Sequence, residues 1–73
     1  MTLDNLELNS AATIVQITAD KELKHRFNSF GVVLGANVQI KKQTISKNTM
    51  EIVVNNNKIA LRVEEANKII VTQ

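Results

Sequence analysis

Thr13-Ile14-Val15-Gln16-Ile17-Thr18-Ala19-Asp20-Lys21-Glu22-Leu23-Lys24-His25-Arg26-Phe27-Asn28-Ser29-Phe30-Gly31 changes its hydrophobic period part-way along, and that change decides the fold. The run from Thr13 to Thr18 is rich in β-branched residues, whose stiff side chains favour a strand. Asp20 then supplies a helix N-cap, and Glu22 in the first turn suits the positive end of the helix dipole. From there Leu23, Phe27 and Phe30 recur at i, i+4 and i+7, with Lys21, Lys24, His25 and Asn28 on the other side. This spacing predicts a short amphipathic helix, in which Glu22 and Arg26 stand four residues apart in the orientation that favours an ion pair. Gly31 ends it, since glycine takes the left-handed conformation after a helix without a Cβ penalty.

Outward from this unit the period is two. Val38 and Ile40 alternate with Asn37, Gln39 and Lys41, and Met50, Ile52 and Val54 alternate with Glu51 and Val53. Asn55-Asn56-Asn57 links the second of these runs to Lys58-Ile59-Ala60-Leu61-Arg62, and asparagine tolerates positive φ well enough to build a tight hairpin. Glu64 to Asn67 reads as one helical turn, and Lys68 to Thr72 as a last strand. Upstream, Leu3, Leu6 and Leu8 are expected to pack across one end of the sheet. About five short strands with one inserted helix predict an all-β fold closed as a small barrel, which removes exposed edges.

Length and composition exclude much. The 73 residues leave room for one domain, expected to span 1–73, and a chain this short buries only about 60% of its unfolded surface. Cysteine is absent, which removes disulfides, thiolate metal sites and thiol nucleophiles. No stretch approaches the roughly 18 apolar residues of a membrane span, and the start lacks a signal-like pattern, so a cytoplasmic location is expected. The net charge of +2 comes from lysines interleaved with acids, unlike the dense basic stripe of a phosphate-backbone binder. Phe27 and Phe30 are the only aromatics. Neither a base-stacking surface nor a proline-rich-peptide groove can be built from them.

Signatures of catalysis and cofactor binding are missing. There is no phosphate-binding loop, nucleotide fingerprint or nucleophile elbow, and the two glycines, Gly31 and Gly35, sit where turns explain them. Glu22-Leu23-Lys24-His25 has the Glu-x-x-His spacing of di-iron carboxylate bundles. Such sites draw on several helices, and Lys21, Lys24 and Arg26 surround this pair with positive charge, so a solvated helix face is the better reading. What remains is apolar side chains on faces that should be wet: Val53, Ile70 and the turn Val32-Val33-Leu34. If they adjoin, they form a docking patch.

The string from Leu23 to Val38 resembles the FeoA family pattern of a helix ending in a Leu-x-Ser-Leu-Gly-like stretch, then Pro-Gly and a strand. Met50-Glu51-Ile52, Ile59-Ala60-Leu61-Arg62, Glu65-Ala66 and Ile69-Ile70-Val71 look like that family's second half, so the resemblance runs from about Leu3 to Val71. It implies an SH3-like barrel. It also implies a cytosolic accessory of FeoB, the GTP-dependent ferrous iron transporter, with no enzymatic activity, cofactor or iron site of its own and with membrane contact only through that partner. One departure is that the family's proline before the second glycine is Leu34 here, which predicts a looser, more apolar turn. Phe27 and Phe30 stand where leucines are usual. The same pattern recurs at the C-terminus of iron- and manganese-dependent repressors, but no DNA-binding helix pair precedes it in this sequence.

The residues expected to meet a partner are Lys24 and Arg26 on the helix, Val32, Val33 and Leu34 in the turn, and Val53 and Ile70 on the outer sheet. Two rivals stand beside this reading. One is a nucleic-acid-binding barrel using Lys41, Lys42, Lys47 and Lys58, against which the missing aromatics weigh. The other is a homo-oligomer in which the exposed aliphatics meet their own copies.

Overall fold

The computed structural model describes residues 1–44 and 48–73. Five strands, β1 (Ala11–Ile17), β2 (Asn37–Thr44), β3 (Thr49–Val54), β4 (Asn57–Arg62) and β5 (Ile69–Thr72), form one antiparallel sheet in the order β4-β3-β2-β1-β5. Helix α1 (Lys21–Ser29) lies in the β1–β2 connection, and the single turn α2 (Val63–Ala66) joins β4 to β5. The inward faces of all five strands, with Phe27 of α1 and Ala66 of α2, share one apolar cluster. A sheet whose every strand serves one core must curl around it, which is the small barrel the alternation predicts.

The period-two pattern is realised directly. Along β3, Met50, Ile52 and Val54 are buried while Thr49, Glu51 and Val53 are half-exposed. Val54 pairs with Asn57, leaving Asn55 and Asn56 as a two-residue loop with φ of +50° and +70°. Positive φ at both positions is the type I′ geometry whose twist matches that of the strands. Two interruptions sharpen the curl: register shifts between Ile40 and Lys42 on β2 and between Ile14 and Gln16 on β1. Each is a bulge that leaves one residue, Lys41 or Val15, without a partner across that ladder.

The N-terminal segment is tied to β5 through the Thr2–Ile70 bridge and a hydrogen bond from the Val71 N–H to the Met1 carbonyl, 2.8 Å. Leu3 and Leu6 enter the core as expected. Leu8 does not. It is 53% exposed, because the chain has already reached β2, where the Asn9 N–H donates to the Ile40 carbonyl at 2.8 Å.

Helix α1 is capped at both ends by the residues the sequence nominates. An Asp20 carboxylate oxygen accepts from the Leu23 N–H at 2.8 Å. At the other end Gly31 has φ +83°, its N–H donates to Asn28 and the Val32 N–H donates to Phe27. These two bonds are the Schellman pattern, in which the second residue past the cap packs back on the last turn. Val32 therefore takes the buried position, and Phe30, the cap residue, is left 39% exposed instead of continuing the apolar stripe of Leu23 and Phe27.

Candidate docking site

Between the far half of β1 and α1 lies an open cleft of about 670 Å³, within the size range of sites that hold small ligands or short segments. Its origin is topological. The β1–β2 ladder covers only Ala11 to Thr13, because the next residues before β2 belong to the turn after α1. Two further bonds, Ile14 N–H to the Ala36 carbonyl at 2.9 Å and Gly35 N–H to the Ile14 carbonyl at 2.7 Å, close that side of β1. Beyond Ile14 the strand pairs with β5 alone, and its other edge looks into the cleft.

The floor and one wall are apolar. Val15, the bulge residue, is 47% exposed at the mouth, and Ile17 and Val33 are half-buried. Leu34 stands at the rim with 64% exposure. The turn that presents it is closed by the Ala36 N–H donating to the Val33 carbonyl at 3.1 Å, with Gly35 at φ +88°. Positive φ at the third residue is the type II arrangement, and Leu34 occupies its second position, where proline is common. The turn is thus hydrogen-bonded and regular. Its apolar character was expected, and it comes from the leucine side chain projecting where a proline ring would lie.

The opposite wall is the polar stripe of α1: Lys21, Lys24, His25 and Asn28, one helix face at i, i+3, i+4 and i+7. None of the residues lining the cleft carries a carboxylate. Lys21 and Lys24 form no ion pair among the described residues, in contrast to Lys58, whose Nζ lies 3.4 Å from Glu51.

The structure brings together four of the seven residues singled out from sequence and separates the other three. Lys24, Val33 and Leu34 line the cleft, and Val32 lines its base. Val32 is 1% exposed, so the expectation that it meets a partner through its side chain is corrected: the Schellman turn commits it to the core. Arg26 points elsewhere. Its Nη1 lies 3.1 Å from Glu65 of α2, replacing the expected pair with Glu22, because Glu65 is held in place by accepting from the Arg62 N–H at 3.0 Å. Val53 sits on β3 opposite Gln39 and Lys58, and Ile70 on β5 opposite Gln16 and Thr2. Two strands lie between β3 and β5, and neither residue lines the cleft, so the patch of Val53, Ile70 and the turn is not contiguous.

Sequence reasoning missed Val15, Gln16, Ile17, Lys21, His25 and Asn28. The signal for Val15 was present, since Ile14, Val15 and Ile17 cannot all face inward on one strand. Of the basic residues in the nucleic-acid rival, Lys41 and Lys42 are exposed and Lys58 is engaged with Glu51, while Lys47 lies outside the described residues. Glu22 and His25 acquire no third ligand: among the described residues no three His, Asp or Glu side chains come together.

Comparison with known proteins meets this geometry over its whole length. Residues 1–73 match the FeoA domain. The chain belongs to the FeoA family. A Campylobacter jejuni relative named Fe(2+) transport protein A is 34% identical over 69 residues, which is 94% of this chain and 93% of the relative. A Helicobacter pylori protein of the same name is 34% identical over 74 residues, covering 100% of this chain and 95% of its own. Among solved structures, the zinc complex of Stenotrophomonas maltophilia FeoA superposes with a TM-score of 0.85 at 25% identity, over 99% of this chain and 89% of that one. That protein is described as a prokaryotic SH3 domain protein, and this FeoA chain is likewise an SH3-like barrel. A manganese-dependent transcriptional repressor also matches at TM-score 0.91 and 18% identity, over 99% of this chain but 35% of the repressor. That likeness is one of fold. No helix among the described residues of this FeoA chain is long and apolar enough to cross a membrane.

Proposed function

We propose that this FeoA protein is an accessory of ferrous iron uptake that works in the cytoplasm by docking onto the cytoplasmic part of the GTP-dependent transporter FeoB, with no chemistry of its own. The observation that carries the reading is the β1–α1 cleft, which combines exposed aliphatic side chains with lysines that form no ion pair among the described residues, and whose lining holds no carboxylate. Apolar anchors bordered by charges of one sign suit a partner surface that is apolar at its centre and carries the opposite charge. The family supplies the process, since the relatives closely covered by this chain are named for Fe(2+) transport, and the S. maltophilia protein is discussed as an activating factor of that transport.

Iron is the cargo of such a system. The accessory reading assigns this chain to the transporter and leaves the ion to the membrane protein. Calorimetric titration with the transporter's cytoplasmic domain tests the reading, together with radio-iron uptake in cells lacking this chain. Saturable binding and reduced uptake are expected. Absence of binding together with normal uptake would overturn it.

A further inference from the structure

The cleft is bordered by a length of strand edge as well as by side chains. Among the described residues, no backbone hydrogen bond joins Val15, Gln16 or Ile17 to any element other than β5. In an antiparallel strand, alternate N–H and C=O groups point to opposite sides, so this segment directs part of its backbone hydrogen-bonding capacity into the cleft. The other outer edge of this region is closed, because β5 is bridged by Thr2 and bonded by Met1. An open edge is a template for a further strand. The segment is short and bulged, but no charge or proline guards it: Val15 and Ile17 are apolar, Gln16 is neutral, and Val15 at the bulge is exposed.

The charge on the facing wall selects what such a strand can be. Lys21 and Lys24 stand on the α1 face that borders the cleft, and among the described residues neither forms an ion pair with an acidic side chain. A basic or neutral segment would leave them uncompensated, whereas carboxylates at alternate positions would lie toward them. The remaining positions, on the other side of the added strand, would meet Val33 and Leu34.

We propose that the β1–α1 cleft captures a short extended segment of a partner protein, alternating acidic and large apolar residues, which adds as a strand to the free edge of Val15–Ile17 and turns its carboxylates toward Lys21 and Lys24. The proposal rests on the reading of this cleft as the partner-facing surface and specifies the chemistry of what enters it. Strand addition suits a site that sets a strand edge opposite the polar α1 wall, because the main chain supplies the hydrogen bonds on the β1 side while the side chains select.

The test uses the whole chain, isotope-labelled for amide NMR, titrated with a blocked eight-residue peptide alternating leucine and glutamate. Two control peptides accompany it: one with lysine for glutamate, and one N-methylated at alternate backbone positions. The acidic peptide should give saturable shifts at Val15 to Ile17, Lys24 and Leu34. The lysine and N-methylated peptides should bind at least about tenfold more weakly, and Lys24→Glu should weaken the acidic peptide by roughly threefold to tenfold while keeping a native spectrum. Equal binding by either control, shifts centred on another face, or no saturation would overturn the proposal. Titrating the transporter's cytoplasmic domain in parallel separates the two readings. If that domain binds while the peptide does not occupy the cleft, the strand-addition proposal fails alone. If the peptide occupies the cleft and the domain does not bind, the transporter reading fails alone.

Discussion

The backbone N–H of Val32 donates to the carbonyl of Phe27 at 2.8 Å, and both side chains are buried in the same core. This one relationship ends α1, seats its last apolar turn and aims the following residues at the cleft. With Val32 committed inward, Val33 and Leu34 are the next to emerge, and Leu34 reaches the rim.

Gly31 makes that turn possible, because its φ of +83° lies where a Cβ is disfavoured. A Cβ there would meet only Asn55 Nδ2 at 3.9 Å, an ordinary contact, so the cost of Gly31→Ala is conformational. Destabilisation of about 1–2 kcal/mol is expected, and a domain of this size should lose roughly 4–8 °C in Tm per kcal/mol. Thermal unfolding followed by circular dichroism measures it. An unchanged Tm would show that the helix end can rearrange without left-handed geometry.

Glu65 holds two partners, the Arg62 N–H at 3.0 Å and the Arg26 guanidinium at 3.1 Å, and so fastens α2 to α1 on the side away from the cleft. Glu65→Ala removes a helix-capping acceptor as well as the ion pair and should cost about 1–2 kcal/mol. Arg26→Ala should cost less than about 1 kcal/mol, since its side chain is 58% exposed and the pair is screened by water. Neither should change affinity for the transporter's cytoplasmic domain. Chemical denaturation and a binding titration on the two variants check both halves, and a loss of affinity in folded Arg26→Ala would return that residue to the docking surface.

Leu34 occupies the turn position at which proline is favoured, and no hydrogen bond from its N–H is present among the described residues. Leu34→Pro should therefore be accommodated and stabilise the fold by about 0.4–1 kcal/mol, by restricting the unfolded chain. It should also weaken docking, because it removes the most exposed aliphatic side chain of the rim. Greater stability with weaker binding is the expected combination, read from a denaturation midpoint and a titration on the same sample.

Local signals in the sequence were strong enough to specify the fold. Asp20 and Gly31 cap α1, the alternation through Val54 fixes which face of β3 is buried, and Asn55-Asn56 builds the tight hairpin. These are short-range effects of backbone conformation and period, and they read directly. Leu8 and Phe30 departed because their exposure depends on where the chain turns next, which local periodicity does not encode. The candidate site was half legible for the same reason. Val33 and Leu34 could be nominated as apolar residues in a turn, and Lys24 as part of a polar stripe, but their convergence with Val15 and Ile17 follows from the early end of the β1–β2 ladder. Arg26 and Glu65 are 39 residues apart, so only the fold reveals that this arginine serves α2. Val53 and Ile70 share with Val15 the same signal of an aliphatic on a wet face; topology separates Val53 from the cleft, while Ile70 pairs with the cleft-lining Gln16 without lining the cleft itself.

The most direct test of docking through the β1–α1 cleft compares Leu34→Asp with Val53→Asp in titrations of the transporter's cytoplasmic domain, both variants first verified as folded. Leu34→Asp should lower affinity by about tenfold or more, by placing an unpaired charge on the apolar rim, while Val53→Asp should leave it within about twofold of the parent. Loss of binding in Val53→Asp with Leu34→Asp unaffected, or no binding by the parent protein, would contradict the account.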